Sequence, residues 1–410
     1  MAATIFSNPS GTFLPANQRL IFGFSTTTTV TDAFRFVVVV KENGTEIGTY
    51  YLAPNANEVA FFDLGEIAGK RVQADQTPYT STASILFGYT STPFTRSLGN
   101  IAQYTVEVGE WDGTTLSANQ DNTNVILIGA REQLAAGLHP DFSQYYASGP
   151  TRKAWLTDHP VTGSYIELTA RDEDQGHAAL ITRSLVSSAT AVSYSVTTSS
   201  GTTATIVTLN TTNGAQLPTA TSPLGGFLTY VALMPVNVEA ITGVDLTDWI
   251  SYTVTPIIEA TLQPVGRAIR VTRNCKTYKT DPVQIAWTNS KGGWDYANFE
   301  GKLLTTLTTQ AKPYRKALGD WNGATFTAPG FLAETEYFHK DGEDKYELTG
   351  YFTPAEAEVL RNLVLAKRAF IRLSDWVPVL VEPTSYAVRT HTAQMSLVTV
   401  TVKLAQTLVS

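Results

Sequence analysis

The chain reads as mainly β, a tandem of β-sandwich-like modules closed by an α+β C-terminal module with one packed helix. Three observations predict this. Sixty of the 410 residues are Thr and, with 18 Tyr, 18 Phe and abundant Val, they favour pleated, half-buried backbone. Ala, Leu, Glu and Lys never accumulate over the lengths a helical bundle needs. Short apolar runs broken by Gly, Asn, Asp and Pro recur in place of long 3.6-residue periods. A chain of this length holds two to four domains, each with its own core.

The elements follow in order. Apolar runs at 20–24, 34–40 and 47–52 surround Asn43-Gly44, a pair that favours a tight hairpin because both residues tolerate positive φ. Val37-Val38-Val39-Val40 is apolar on both faces and belongs between two layers of protein. Extended stretches at 83–89 and 101–108 complete a sandwich, and the turn Trp111-Asp112-Gly113 with the polar stretch to Asn124 closes it, giving a first module over 1–120. A central module over 121–268 opens with the strand 125–128 and a helix-like piece at 131–136. Its strands resume at 153–156, 164–169 and 178–182. The last module, 269–410, carries the helix. Thr353-Pro354-Ala355-Glu356 is a capping box with Pro at the first helical position, and Leu360, Leu363 and Val364 supply an apolar stripe. Strands follow at 369–373, 377–381 and 396–404. No fixed-period repeat appears, which disfavours solenoids and propellers.

Charge is sparse. Charged residues make up 16% of the chain, against roughly 25% in ordinary soluble proteins, so hydroxyls and amides supply the polarity. The shortage is concentrated: residues 184–238, 55 in all, contain no Asp, Glu, Lys or Arg. Alternating segments there, 192–196 and 203–209, read as half-exposed strands. A hydroxyl is far easier to desolvate than an ammonium, so these strands are candidate contact surfaces with neighbouring copies, with Tyr194, Thr203 and Thr205 as candidate interface residues. The net charge of −7 argues against a grip on nucleic acid. One cysteine, Cys275, excludes an internal disulfide and suits a reducing cytoplasm. The first residues lack a signal peptide's basic start and apolar run, and no apolar window of about 18 residues predicts membrane insertion.

Chemistry-bearing motifs are few. His139, His159, His177, His339 and His391 stand singly, without zinc-site spacing, and neither a nucleophile elbow nor a phosphate-cradling loop occurs. No metal, cofactor or catalytic residue is expected. The acidic pieces Asp172-Glu173-Asp174 and Asp341-Gly342-Glu343-Asp344 read as solvated hairpin turns. Tyr145, Tyr146, Trp155 and Trp294 are the aromatics available for stacking on sugar rings, with burial in a β-core the commoner role.

Two segments carry a family resemblance: Lys153-Ala154-Trp155-Leu156-Thr157-Asp158-His159-Pro160, and Ile285-Ala286-Trp287-Thr288-Asn289-Ser290-Lys291-Gly292-Gly293-Trp294-Asp295. With Phe61-Phe62-Asp63-Leu64 and the late helix, they form an ordered set that resembles virion structural proteins, tail or baseplate components, of tailed bacteriophages infecting Bacteroidetes. The long uncharged section departs from that pattern. The resemblance implies a structural protein of the virion, made in the host cytoplasm, that forms a ring or bridges tail components. It also implies a homo-oligomer with other tail proteins as partners; the alternative is an adhesin for host-surface glycan. The second segment reads as an architectural corner: Gly292 and Gly293 permit a turn, Asn289 or Asp295 caps backbone donors, and Trp287, Trp294 and Phe299 supply apolar area. In Trp376-Val377-Pro378-Val379, the resemblance implies a surface strand that meets a neighbour, with Trp376 and Pro378 at the contact and Pro378 at an edge or bulge.

Overall fold

The computed structural model describes all residues except 1, 12, 74–94, 98, 131–141, 175, 184–190, 209–228, 236–247, 276–280, 316–319, 322, 328–334, 383–386, 391–394, 406–407 and 410. The expected strand at 83–89 and helical piece at 131–136 lie outside the described residues. Among the described residues the chain is mainly β, with two α-helices. Contacts divide it into two compact units, Met1–Thr277 with Thr288–Tyr296, and Tyr278–Trp287 with Ala297–Ser410.

The first unit begins with β1 (Ala3–Ser7), β2 (Phe13–Pro15), β3 (Ile21–Thr26), β4 (Arg35–Glu42), β5 (Thr45–Leu52) and β6 (Ala60–Asp63). A short helix α1 (Gly65–Arg71) follows, then β7 (Thr95–Ser97), β8 (Ile101–Trp111) and β9 (Leu116–Ile128). A three-stranded sheet β1-β3-β6 and a five-stranded sheet β2-β9-β8-β4-β5 share one core, in which Phe22, Phe24, Phe36, Val38, Val40 and Tyr104 are fully buried. Asn43 and Gly44 take φ of 49° and 86° and join β4 to β5 with Glu42 opposite Thr45, the two-residue turn expected of this pair. Val37, Val38 and Val40 are buried on both faces of β4, and Val39 is half-buried.

The remaining strands of this unit are β10 (Val161–Thr162), β11 (Tyr165–Ala170), β12 (His177–Arg183), β13 (Ala191–Thr198), β14 (Gly201–Thr208), β15 (Thr229–Pro235), β16 (Trp249–Ile258), β17 (Gln263–Pro264) and β18 (Ala268–Arg273). Six form a sheet in the order β10-β11-β18-β16-β13-β14, with β17 paired to β16, and β12-β15-β7 make a small separate sheet. The module boundaries expected at 120 and 268 both fall in sheets. Residue 120 lies within β9, because the Asp112-Gly113 turn is the tip of the β8–β9 hairpin and the polar stretch after it is paired strand. Residue 268 opens β18, which is hydrogen-bonded to β11 and β16. Residues 153–156, expected as a strand, contribute only an isolated bridge at Trp155.

The later strands are β19 (Val283–Thr288) and β20 (Trp294–Phe299), whose residues Thr288 and Trp294–Tyr296 count with the first unit, then, in the second unit, β21 (Leu303–Arg315), β22 (Asp320–Trp321), β23 (Phe326–Thr327) and β24 (Thr335–Phe352). They are followed by helix α2 (Pro354–Val364), β25 (Ala369–Arg372), β26 (Trp376–Val381), β27 (Ala387–Thr390), β28 (Ser396–Leu404) and β29 (Leu408–Val409). The sheet order is β20-β19-β25-β26-β28-β24-β21, with β27 on β28 and β29 on β24, while β22 and β23 pair separately. Helix α2 begins at the expected capping box: Glu356 N–H donates to Thr353 Oγ1 at 3.3 Å and Thr353 N–H to Glu356 Oε2 at 2.8 Å. Its face of Ala357, Val359, Leu360 and Leu363 packs with Trp287, Phe299, Val398 and Val400. Among the described residues no helix is long and apolar enough to cross a membrane.

Two expectations are corrected here. Asp341-Gly342-Glu343-Asp344 is not a turn; it lies within β24, where Glu343 faces Thr308 of β21 and bonds Lys403 at 2.8 Å. A lysine on a neighbouring strand neutralises Glu343, so no turn is needed to solvate that carboxylate. Pro378 is on neither an edge nor a bulge, because β26 is interior, between β25 and β28. It is tolerated where the ladder to β28 runs out: pairing covers Val379–Val381, and Ala405 N–H donates to the Pro378 carbonyl at 3.1 Å. A strand residue's N and C=O point to the same side, so the missing N–H falls beyond the ladder's end. Trp376 is half-buried, paired with Arg372 within the chain.

Candidate functional site: the Asn289–Asp295 corner and the uncharged hairpin

Asn289 shapes the corner. Its N–H donates to Gly293 O at 3.0 Å, and its Oδ1 accepts the Lys291 and Gly293 N–H groups at 3.0 and 2.9 Å, an Asx-type turn. Gly292 has φ of 86°, a conformation costly for any side chain, and its carbonyl accepts Asn100 Nδ2 at 2.6 Å. Gly293 permits the close approach that follows. A Cβ there would lie 2.0 Å from the Leu156 carbonyl oxygen.

That approach joins two segments more than 130 residues apart. Asn289 Nδ2 donates to Leu156 O at 2.9 Å. Thr157 Oγ1 and Asp158 N–H donate to the two oxygens of Asp295 at 2.6 and 3.0 Å. In return, Asp158 accepts Ser290 N–H at 2.8 Å and the Ser290 hydroxyl. Each segment thus presents a carboxylate to the other's donors. Behind it Leu156 N–H bonds Ala179 O at 2.8 Å and Trp155 Nε1 bonds Arg267 O at 2.8 Å, which fixes the 154–158 segment on its core.

Burial dominates the electrostatics. It pushes the Asp295 carboxyl up to about 6, against the downward pull of Thr157, the Asp158 amide, Asn289 and Lys291. Burial also raises Asp158, and the nearby Asp295 charge raises it further, while Ser290 and Lys291 oppose the shift. His177, whose Nδ1 lies 2.9 Å from the Tyr296 hydroxyl, is held neutral because full burial lowers it to about 3. Tyr145 lies beneath two ammonium groups, with Lys153 Nζ at 5.3 Å and Lys291 Nζ at 6.0 Å from its ring centre. Among the described residues no three His, Cys, Asp or Glu side chains converge as metal ligands. The chemistry of this arrangement is mutual satisfaction of donors and acceptors, which holds a backbone crossing in place.

The expected corner residues separate. Asn289, Gly292, Gly293, Trp294 and Asp295 come together in the first unit, whereas Trp287 and Phe299 are buried in the core of the second. Sequence reasoning gave no role to Thr157, Asp158, Ser290, Asn100 or the His177–Tyr296 pair. The only signal for Thr157 and Asp158 was their place in the Leu156-Thr157-Asp158-His159-Pro160 segment. The acidic stretch at 171–174 does turn, closed by Asp174 N–H to Arg171 O, but it is not the solvated hairpin expected: β11 and β12 belong to different sheets, Asp174 is buried, and Asp172 accepts Trp249 Nε1 at 2.8 Å and Arg273 at 2.5 Å. The stacking candidates turn inward: Trp155, Tyr145 and Trp294 are buried and Tyr146 half-buried.

The uncharged hairpin also differs from expectation at one residue. Tyr194 is 3% exposed and packs in a core with Val192, Val196, Trp249 and Tyr252, so it is not an interface residue. Thr203 and Thr205 are placed by register opposite Val196 and Tyr194, on β14, the last strand of its sheet.

No protein-family model matches the sequence, and no curated protein matches it.

Proposed function

We propose that this chain is a structural component of a bacteriophage virion, a tail or baseplate protein that works by self-assembly into a ring or by bridging tail components. The observation that carries the reading is the meeting of two segments. The stretches Leu156–Asp158 and Asn289–Asp295, which lie within the segments that resemble tail and baseplate proteins in sequence, fold into one reciprocally bonded crossing. Its carboxylates are taken up by backbone and hydroxyl donors, an arrangement suited to rigidity and not to turnover. The tandem β architecture and the uncharged edge strand are in keeping with a protein that acts through contact and geometry. An adhesin that stacks sugars on Tyr145, Trp155 or Trp294 is disfavoured, since those rings are buried.

Labelling intact phage particles with antibodies to the purified protein tests the reading. The expected result is label at the tail or its distal end, in several copies per particle. Its absence from purified particles, with the protein found only in infected cells, would overturn it.

A further inference from the structure

The β-sheets of this protein end in strands of very different character. Natural sheets protect such edges with charge, brevity or a covering element, because an open ladder of N–H and C=O groups is a template for another strand. Most edges here follow that rule. β2, β6, β7 and β10 have four residues or fewer. β5 carries Glu46, β12 Arg183, and β21 both Lys312 and Arg315, while β20 is met by the 157–158 segment, whose Thr157 hydroxyl and Asp158 N–H bond Asp295. β1 is uncharged but has only five residues, and β9 reaches across to it: Ile5 N–H donates to Asp121 Oδ2 at 2.8 Å and Ala3 N–H to Gln120.

β14 is the exception. Its eight residues, Gly201-Thr-Thr-Ala-Thr-Ile-Val-Thr208, include no charge and no proline, and six of the seven residues after Gly201 are β-branched, four Thr with Ile206 and Val207, the composition of a pairing-prone strand. It pairs with β13 over its whole length and, among the described residues, is the terminal strand of its sheet. Thr202 and Ala204 are exposed.

We propose that β14 pairs edge to edge and antiparallel with β14 of a second copy of this chain, extending the sheet across a two-fold axis. Charge selects this occupant. Two identical strands related by a two-fold place residues near the middle against their own copies, so a charged edge repels itself, whereas an uncharged one does not. A different partner would be expected to be matched by charge, and β14 offers none to match. The proposal rests on the preceding reading only in taking the chain to self-associate.

Sedimentation of three proteins tests it: the wild type, Thr202→Lys/Ala204→Lys, and Thr202→Glu/Ala204→Glu. The wild type is expected to self-associate, and each charged variant to do so about tenfold more weakly at low salt. An equimolar mixture of the Lys and Glu variants is expected to recover the association. Hydrogen exchange on the wild type adds a reading that needs no variant: amides at 201–208 gain protection as concentration rises. If the charged variants associate like the wild type and 201–208 shows no such gain, the β14 contact is wrong while self-assembly stands. A wild type that stays monomeric at every concentration overturns both.

Discussion

The buried carboxyl of Asp295 makes the crossing of the two segments sensitive to pH in an unusual direction. An aspartate in an unfolded chain titrates near 3.9, whereas burial holds Asp295 at about 6. Between those values the folded state binds more protons than the unfolded one, so the Asp295 contribution becomes more favourable as pH falls through this window and is lost as pH rises to 6. Two units at about 1.4 kcal/mol each amount to about 3 kcal/mol against the folded state at pH 7. Asp295→Asn abolishes the titration and keeps an acceptor for the Asp158 amide, while its NH₂ can donate to Thr157 Oγ1. Hydrogen exchange at the Asp158 amide, which donates to Asp295 at 3.0 Å, reads the opening of this crossing directly. Comparing the two proteins at each pH cancels the intrinsic exchange rate and the titration of distant groups. From pH 7 to pH 4.5 the wild type is expected to gain about 2 kcal/mol of opening free energy relative to Asp295→Asn, with a slope that approaches about 1.4 kcal/mol per pH unit below pH 6. A flat difference would refute the reasoning. So would one of opposite sign, which would mean that Asp295 is held as an anion by its donors.

Other substitutions test the remaining structural claims. Gly293→Ala places a methyl 2.0 Å from the Leu156 carbonyl, which cannot yield as a flexible side chain would; a loss of about 3 kcal/mol is expected in chemical unfolding, with Gly149→Ala, where nothing lies within 4 Å, unchanged. Thr353→Ala removes the N-cap of α2 and is expected to cost about 1 kcal/mol, measured as a lowered denaturation midpoint that Thr353→Ser largely restores.

Local chemistry was legible in the sequence and partners were not. Asn43-Gly44 and Thr353-Pro354-Ala355-Glu356 carry their own geometry, since a positive-φ turn and a capping box are decided within four residues. The Gly292-Gly293 corner was legible as a corner, but its reason lies at Leu156, Thr157 and Asp158, and no spacing in one sequence joins residues that far apart. Asp341-Gly342-Glu343-Asp344 misled for a related cause. Polar, charged and glycine-containing residues resemble a turn until the lysine that neutralises Glu343 is found on β28. Tyr194 could have been placed correctly, because in Val192-Ser193-Tyr194-Ser195-Val196 the two-residue period groups it with the valines, on the face that proves to be buried.

The two features left after these corrections are complementary. A crossing fixed by donors and acceptors that satisfy one another has little chemistry to offer a substrate, yet it holds the backbone of the first unit in one arrangement. An edge strand free of charge has little use to an isolated monomer, because an open edge invites pairing and natural sheets usually guard against it. Evolution tolerates such an edge where pairing is the function or where something covers it. A rigid support matters for the first case, since strand addition succeeds only if the edge is already extended and straight when its partner arrives. The Asn289–Asp295 corner and β14 therefore serve one purpose on this reading, the first by fixing the first unit's backbone and the second by presenting the contact. Loosening the corner through Gly293→Ala is then expected to weaken association as well as stability, whereas the charged β14 variants weaken association alone. Equal losses of stability in both sets would break that link.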